Sequence, residues 1–432
     1  MKQVTAQFAE RRLAGATRRQ FLVAGPAIGA ALALPSLPAR AQASPSERWC
    51  ATWGTAPAGP PPSNNVQSFS GQTLRLVARA SIGGSRVRVR ISNEMGSTPL
   101  RIGRASIGLR TSGASIATPR PLTFGGLEAM TVPAGAPLLS DPVDLAVPAQ
   151  ADLAVSLYLP GSVQATTIHD AAFQTNYLSS AGDYTSTLSL PVARTISSWP
   201  FLTEIDIAAP VPAIVALGDS ITDGARSTTN ANRRWPDYLA RRLQSALGAA
   251  GRIGVVNRGI SANLLLNDYP TALLAGRDTL ERFDRDVLAT AGVRYLIALI
   301  GINDICYSSG SNPIPVAELI AGWRQLIARA RARDIGVIGA TLPPFEGFVY
   351  YTAAREAVRR SANNWLRASS EFDGLVDVET TLRDPANPGR ILPAYDSGDH
   401  LHPNDAGYQA IANAVPLAPF VANSTTGETL SG

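Results

Sequence analysis

Downstream of residue 212 the hydrophobic pattern changes period, and that change constrains the fold more than any other feature of the chain. Continuous apolar runs at Ala213–Leu217, Ile253–Asn257, Tyr295–Ile300, Ile335–Thr341 and Leu375–Val378 alternate with helical patterns at Arg234–Leu247, Thr279–Leu288, Val316–Ala332, Ala353–Ala368 and Gly407–Val415. Runs without polar alternation read as strands buried on both faces. Strands alternating with helices mean a parallel sheet covered by helices on both sides. The carboxyl ends of such strands share one edge, where open α/β sheets place their ligands.

The region before residue 212 has period two instead. Trp49–Gly54 and Thr73–Ala80 read as strands, Ile82–Ser85 as a hairpin turn, and Arg86–Ile91 as a strict alternation. Val87, Val89 and Ile91 face a core, which leaves Arg86, Arg88 and Arg90 on a solvated outer face. Further short strands near Leu100–Leu109, Leu153–Leu159 and Phe173–Leu178 complete an antiparallel sandwich. Ile205–Pro212 is the expected domain boundary. His169 falls in a loop with no acid or nucleophile motif around it and reads as a surface or packing residue.

Charge is placed unevenly. Residues 1–43 hold Lys2, Arg11, Arg12, Arg18, Arg19 and Arg40 against Glu10; subtracting these from the 38 basic and 33 acidic residues of the whole chain leaves 32 of each. A formally neutral remainder argues against nucleic acid as a partner, since phosphate binding needs excess positive charge. The basic segment has an order of its own: Thr17-Arg18-Arg19-Gln20-Phe21-Leu22, an apolar run from Val23 to Leu34, then Ala41-Gln42-Ala43. It resembles a twin-arginine signal peptide, which implies export to the periplasm or beyond. The run is too short and Pro-interrupted to span a membrane stably. Cys50 and Cys306 can form a disulfide or remain two buried thiols. Two cysteines and three histidines give no metal-ligand spacing, and no cofactor is expected.

Three strands of the second region end in polar clusters: Gly218-Asp219-Ser220-Ile221-Thr222-Asp223-Gly224, Asn257-Arg258-Gly259-Ile260-Ser261 and Gly301-Ile302-Asn303-Asp304. Asp399-His400-Leu401-His402-Pro403-Asn404 precedes the last helix. A serine hydroxyl needs a base to become nucleophilic, and a histidine base needs a carboxylate to fix its tautomer. Asp399 and His402, three residues apart, can supply both. The oxyanion of acyl transfer then needs donors; candidates are the backbone N–H of Ser220, the backbone N–H of Gly259 and the side-chain amide of Asn303. Thr222 and Asp223 can begin a helix cap, Asp219 and Asp223 serve the nucleophile turn, and Asp304 shapes the loop after Asn303.

These four blocks resemble, in order and identity, those of the SGNH hydrolases, the GDSL esterase/lipase superfamily. The resemblance covers residues 213–416. It implies a flavodoxin-like three-layer α/β/α domain and an ester hydrolase working through an acyl-enzyme. By carry-over Ser220 is nucleophile, His402 base then acid, Asp399 its orienting acid, and Ser220, Gly259 and Asn303 form the oxyanion hole. His402 rather than His400 matches the family's position; His400 reads as a pocket-wall or surface residue. The N-terminal region resembles the sandwich, jelly-roll-like, found ahead of some secreted SGNH esterases. It either binds polysaccharide or packs on the catalytic domain and walls its cleft, the second being favoured. The expected organisation is therefore a signal at 1–43, a sandwich at 44–208, a hydrolase domain at 209–420 and a tail at 421–432. The expected substrate is a small-molecule or polysaccharide ester, first an acetylated carbohydrate. Alternatives are a lipase, arylesterase or thioesterase of the same superfamily, or a non-catalytic carbohydrate-binding protein with a relict site.

Overall fold

The computed structural model describes residues 47–62, 66–269 and 273–422. The twin-arginine segment at 1–43 and the tail beyond residue 422 lie outside them. The described residues form one compact unit by backbone proximity.

Two large antiparallel sheets make most of the first half, with the short pairs Ile168–His169 with Trp199–Pro200 and Leu100–Ile102 with Met130–Val132 beside them. The six-stranded sheet runs Val192–Ile196, Asn176–Ala181, Ser68–Arg79, Asp152–Gln164, Arg104–Ser112, Ser115–Leu122. The other runs Trp49–Gly54, Leu202–Ala208, Gly84–Ser92, with Pro137–Leu139 and Val143–Val147 both against Gly84–Ser92. Leu74, Leu76, Val87, Val89, Ile91, Val155, Leu157, Ile205 and Ile207 share one buried cluster, the product of alternation on each strand.

Three expectations need correction here. Ile82–Ser85 does not close a hairpin, because Ser68–Arg79 and Gly84–Ser92 belong to different sheets. The corner is held by the first strand: Ser81 N–H and Oγ donate to Thr52 O, and Ile82 N–H donates to Thr52 Oγ1. Ile205–Pro212 is not all linker, since Leu202–Ala208 is a central strand between Trp49–Gly54 and Gly84–Ser92. Its alternation sends Ile205 and Ile207 into the core and Glu204 and Asp206 to the opposite face. That places acids beside the arginines, so their face is not a solvated one: Arg88 Nε meets Asp206 Oδ2 at 2.8 Å with its guanidinium over the Trp49 ring, and Arg90 meets Glu204 at 3.1 Å and donates to Ala289 O.

The second half is a five-stranded parallel sheet in the order Gly254–Gly259, Ala213–Gly218, Val293–Leu299, Gly336–Ala340, Gly374–Val376. Numbered along the chain this is 2-1-3-4-5, the flavodoxin-like order, whose switch point lies at the end of the first strand. The helices meet in two groups. Trp235–Leu247 and Val378–Leu382 contact Asp405–Ala414; Thr279–Phe283 contacts Val316–Arg331, which packs on Ala353–Ala368. The expected helix over Thr279–Leu288 is α only to Phe283 and continues as a π turn over Asp284–Leu288.

The two halves are locked by a buried ion pair. Arg258, on the strand that ends at Gly259, reaches across to Glu204 and also donates to Thr55 O, Thr203 O and Thr290 Oγ1. Both side chains are essentially inaccessible. Removing one partner of such a pair costs about 3–5 kcal/mol, because the other charge is left buried alone. A second guanidinium continues inward: Arg282 donates to Arg258 O and Gly218 O and pairs with Asp286 at 2.8 Å. The sandwich thus packs on the strand ends that carry the polar clusters. Cys50 and Cys306 are both free and buried, and burial pushes each thiol up to about 12.

Candidate active site

The strand Ala213–Gly218 turns at once into a one-turn helix, Ser220–Asp223. Gly218 is required at this turn: a Cβ there would lie 2.2 Å from Thr222 Oγ1 and 2.4 Å from Leu299 O. The cap is Asp219, whose Oδ1 accepts the Ile221 N–H, and not Thr222 or Asp223 as expected. Asp219 alone has the extended backbone that an N-cap needs. Its second oxygen is buried without a partner, and burial pushes the carboxyl up to about 7.

Ser220 is 7% exposed. Its Oγ lies 2.8 Å from His402 Nε2, and His402 Nδ1 lies 2.8 Å from Asp399 Oδ2. The carboxylate of Asp399 accepts a hydrogen bond from Nδ1–H, which leaves Nε2 as the acceptor for the Ser220 hydroxyl. The Asp399 backbone segment is wound to make this possible: its Oδ1 accepts the N–H groups of Leu401 and His402 at 3.1 and 2.9 Å. Burial works against the charge on Asp399, but these bonds and the His402 side chain outweigh it and hold the carboxyl well below the usual range. Phe348 stands edge-on to the His402 ring at 6.5 Å. His400 is not part of this chain; it pairs with Asp396 at 2.7 Å and is 43% exposed.

Of the expected oxyanion donors, Asn303 and Gly259 fare differently. Asn303 Nδ2 donates to Asn263 O at 2.9 Å, which ties the amide to the loop after Ser261 and leaves its second N–H. Gly259 has no free donor, because its N–H is given to Asn257 Oδ1 at 2.8 Å and its Cα faces the backbone of Asp223. An unpaired N–H of this loop that follows directly on Ser261 belongs to Ala262. Asn263 N–H donates to Ile260 O, closing a turn with Ala262 at φ 63°, the third residue of a type II geometry. Neither Ala262 N–H nor Ser220 N–H has a hydrogen-bond partner among the described residues. Asp304 does not shape the segment after Asn303; it braces this loop from behind by accepting the Leu265 and Leu266 N–H groups at 2.8 and 3.0 Å, and burial pushes it up to about 7.

His169 is the residue that sequence reasoning placed least well. It is 3% exposed, on a two-residue strand Ile168–His169, and its Nε2 lies 3.0 Å from Asp223 Oδ1. The acid missing from its sequence surroundings comes from the nucleophile helix.

The family described as GDSL-like Lipase/Acylhydrolase matches residues 216–410. Residues 216–410 are thus a GDSL-like lipase/acylhydrolase domain. The chain is also similar to three solved structures. One is a lipolytic protein of the G-D-S-L family from Desulfitobacterium hafniense DCB-2 (22% identity, 47% of this chain and 96% of that one, TM-score 0.36). Another is an alpha/beta hydrolase enzyme from the metagenome of Lake Arreo, Spain (26%, 48% and 94%, TM-score 0.36). The third is a catalytic mutant of an acetylxylan esterase from Geobacillus stearothermophilus (22%, 48% and 94%, TM-score 0.37). No curated protein matches the chain. The GDSL domain thus sits behind a sandwich that shares its active-site scaffold, and the chain is a carboxylic ester hydrolase. No helix among the described residues is long and apolar enough to cross a membrane.

Proposed function

We propose that the protein hydrolyses short acyl esters of carbohydrates, acetyl esters first, through an acyl-enzyme on Ser220. The observation that carries the reading is the unbroken hydrogen-bond chain from Ser220 Oγ through His402 to Asp399. Ser220 Oγ attacks the ester carbonyl while its proton passes to His402 Nε2. Ser220 N–H, Ala262 N–H and the free N–H of Asn303 hold the oxyanion. His402 then protonates the departing alcohol, and in the second half-reaction takes a proton from the water that cleaves the acyl-enzyme.

The carbohydrate part of the reading rests on a depression of about 370 Å³ beside the Asn263–Asn303 contact. The exposed Asn267, Asp268, Asn312 and Glu318 line it together with Tyr307 and the apolar Leu264 and Ile314. Hydrogen-bonding groups beside an aromatic ring suit a sugar. Tyr307 continues through Tyr350 to Phe348, in ring contacts of 5.2 and 5.6 Å, as far as His402. That apolar row favours the second reading, an arylesterase or lipase. Hydrolysis rates on acetyl, butyryl and long-chain p-nitrophenyl esters and on acetylated xylan separate the two. The proposal expects acetyl esters and acetylated xylan to be turned over fastest; a rise in kcat/KM with acyl length, and no acetate released from xylan, would reject it. Residues 1–43 support a further element, export by the twin-arginine route.

A further inference from the structure

The sandwich contributes one side chain to the neighbourhood of the nucleophile. His169 Nδ1 lies 2.8 Å from Ala56 O and Nε2 lies 3.0 Å from Asp223 Oδ1. A carbonyl only accepts, so Nδ1 carries a proton. Asp223 closes the helix that Ser220 opens. Its other oxygen, Oδ2, accepts both the backbone N–H and the hydroxyl of Ser261, at 3.0 and 2.7 Å. Ser261 is the residue before Ala262. One carboxylate therefore joins the nucleophile helix to the turn that offers a free N–H, and the imidazole is the donor that fixes that carboxylate from outside.

We propose that His169, as an imidazolium, is a positioning residue for ester hydrolysis, holding Asp223 so that the Ser261–Ala262 turn presents its N–H to the oxyanion. The proposal rests on the serine-hydrolase reading above. The groups around the ring are Asp223 from the nucleophile helix, Asp170 next in the chain, Arg234 ahead of the helix Trp235–Leu247, and Tyr408 from the helix Asp405–Ala414, which faces Asp223. The ring packs on Trp199 at 5.6 Å. Burial and Arg234 disfavour the cation, but Asp223 and the Ala56 carbonyl prevail and hold the imidazole above its ordinary value. The sign follows. Alkaline deprotonation leaves one N–H for two acceptors, Asp223 and Ala56 O, and removes the positive charge that holds the carboxylate. Asp223 loses its cationic partner, the ring loses one of its two anchors and the turn is held less firmly, so kcat falls as pH rises through a value above the ordinary histidine range, about 6.5.

The test uses the full chain and a short p-nitrophenyl ester. His169→Phe removes both donors; misplacing one group near the reacting centre costs about 10²-fold, and the loss is expected in kcat with KM little changed. His169→Gln keeps a neutral amide donor toward Asp223. It is expected to recover most of kcat near neutrality and to lack the alkaline limb of the wild-type profile. A folded His169→Phe enzyme with wild-type kcat overturns the proposal. So does a His169→Gln enzyme that retains the alkaline limb, which keeps the test decisive if the Phe variant does not fold. Wild-type protein inert toward every ester would instead remove the hydrolase reading on which the proposal stands.

Discussion

Replacing Ser220 by alanine should lower turnover of a short ester by at least about 10⁴-fold while leaving the fold intact. The hydroxyl's side-chain partner is His402 Nε2, so its loss removes one hydrogen bond, worth about 1 kcal/mol. The kinetic loss is far larger because the covalent route disappears with the nucleophile. What survives comes from oxyanion donors and binding alone. Initial rates on p-nitrophenyl acetate, with circular dichroism to verify folding, measure it. A variant within tenfold of wild type would show that another group attacks.

The second large effect belongs to Asp399→Asn, with an expected drop in kcat of about 10⁴-fold at neutral pH. Asp399 Oδ1 accepts the N–H groups of Leu401 and His402, so the amide oxygen of asparagine takes that side. The amide nitrogen must then face His402 Nδ1 and donate to it. The imidazole proton is driven to Nε2, where it points at Ser220 Oγ and blocks proton transfer from it. Steady-state kinetics with the position of His402 confirmed by crystallography check this; an unchanged kcat would mean that Asp399 does not set the tautomer.

The parallel sheet was legible because its strands are continuous apolar runs and its helices carry a clear stripe. The hydrogen-bonded chain Ser220–His402–Asp399 was legible because Asp399 and His402 are close in sequence and Ser220 follows a strand. Other features were hidden by physics that acts at long range. Gly83-Gly84 suits a hairpin turn and a corner between sheets equally, and the choice is made by Thr52. The arginines of Arg86–Arg90 looked solvated until Glu204 and Asp206 were placed on the neighbouring strand. The alternation Glu204-Ile205-Asp206-Ile207 was the available sign of that strand. Gly259 attracted the oxyanion role because a glycine lets a substrate approach, yet its N–H is spent on Asn257. A free donor is at Ala262 instead, where an alanine occupies a positive-φ position and nothing in its identity signals it. His169 found its acid 54 residues away, across the two halves of the molecule.

The central claim is that Ser220 is a live nucleophile activated by His402. Labelling of the full chain with a fluorophosphonate, followed by peptide mass mapping, tests it most directly. The account predicts one covalent adduct, on Ser220, absent from Ser220→Ala and formed far more slowly by His402→Ala. No adduct on the folded wild-type protein, or an adduct on a different residue, would contradict it.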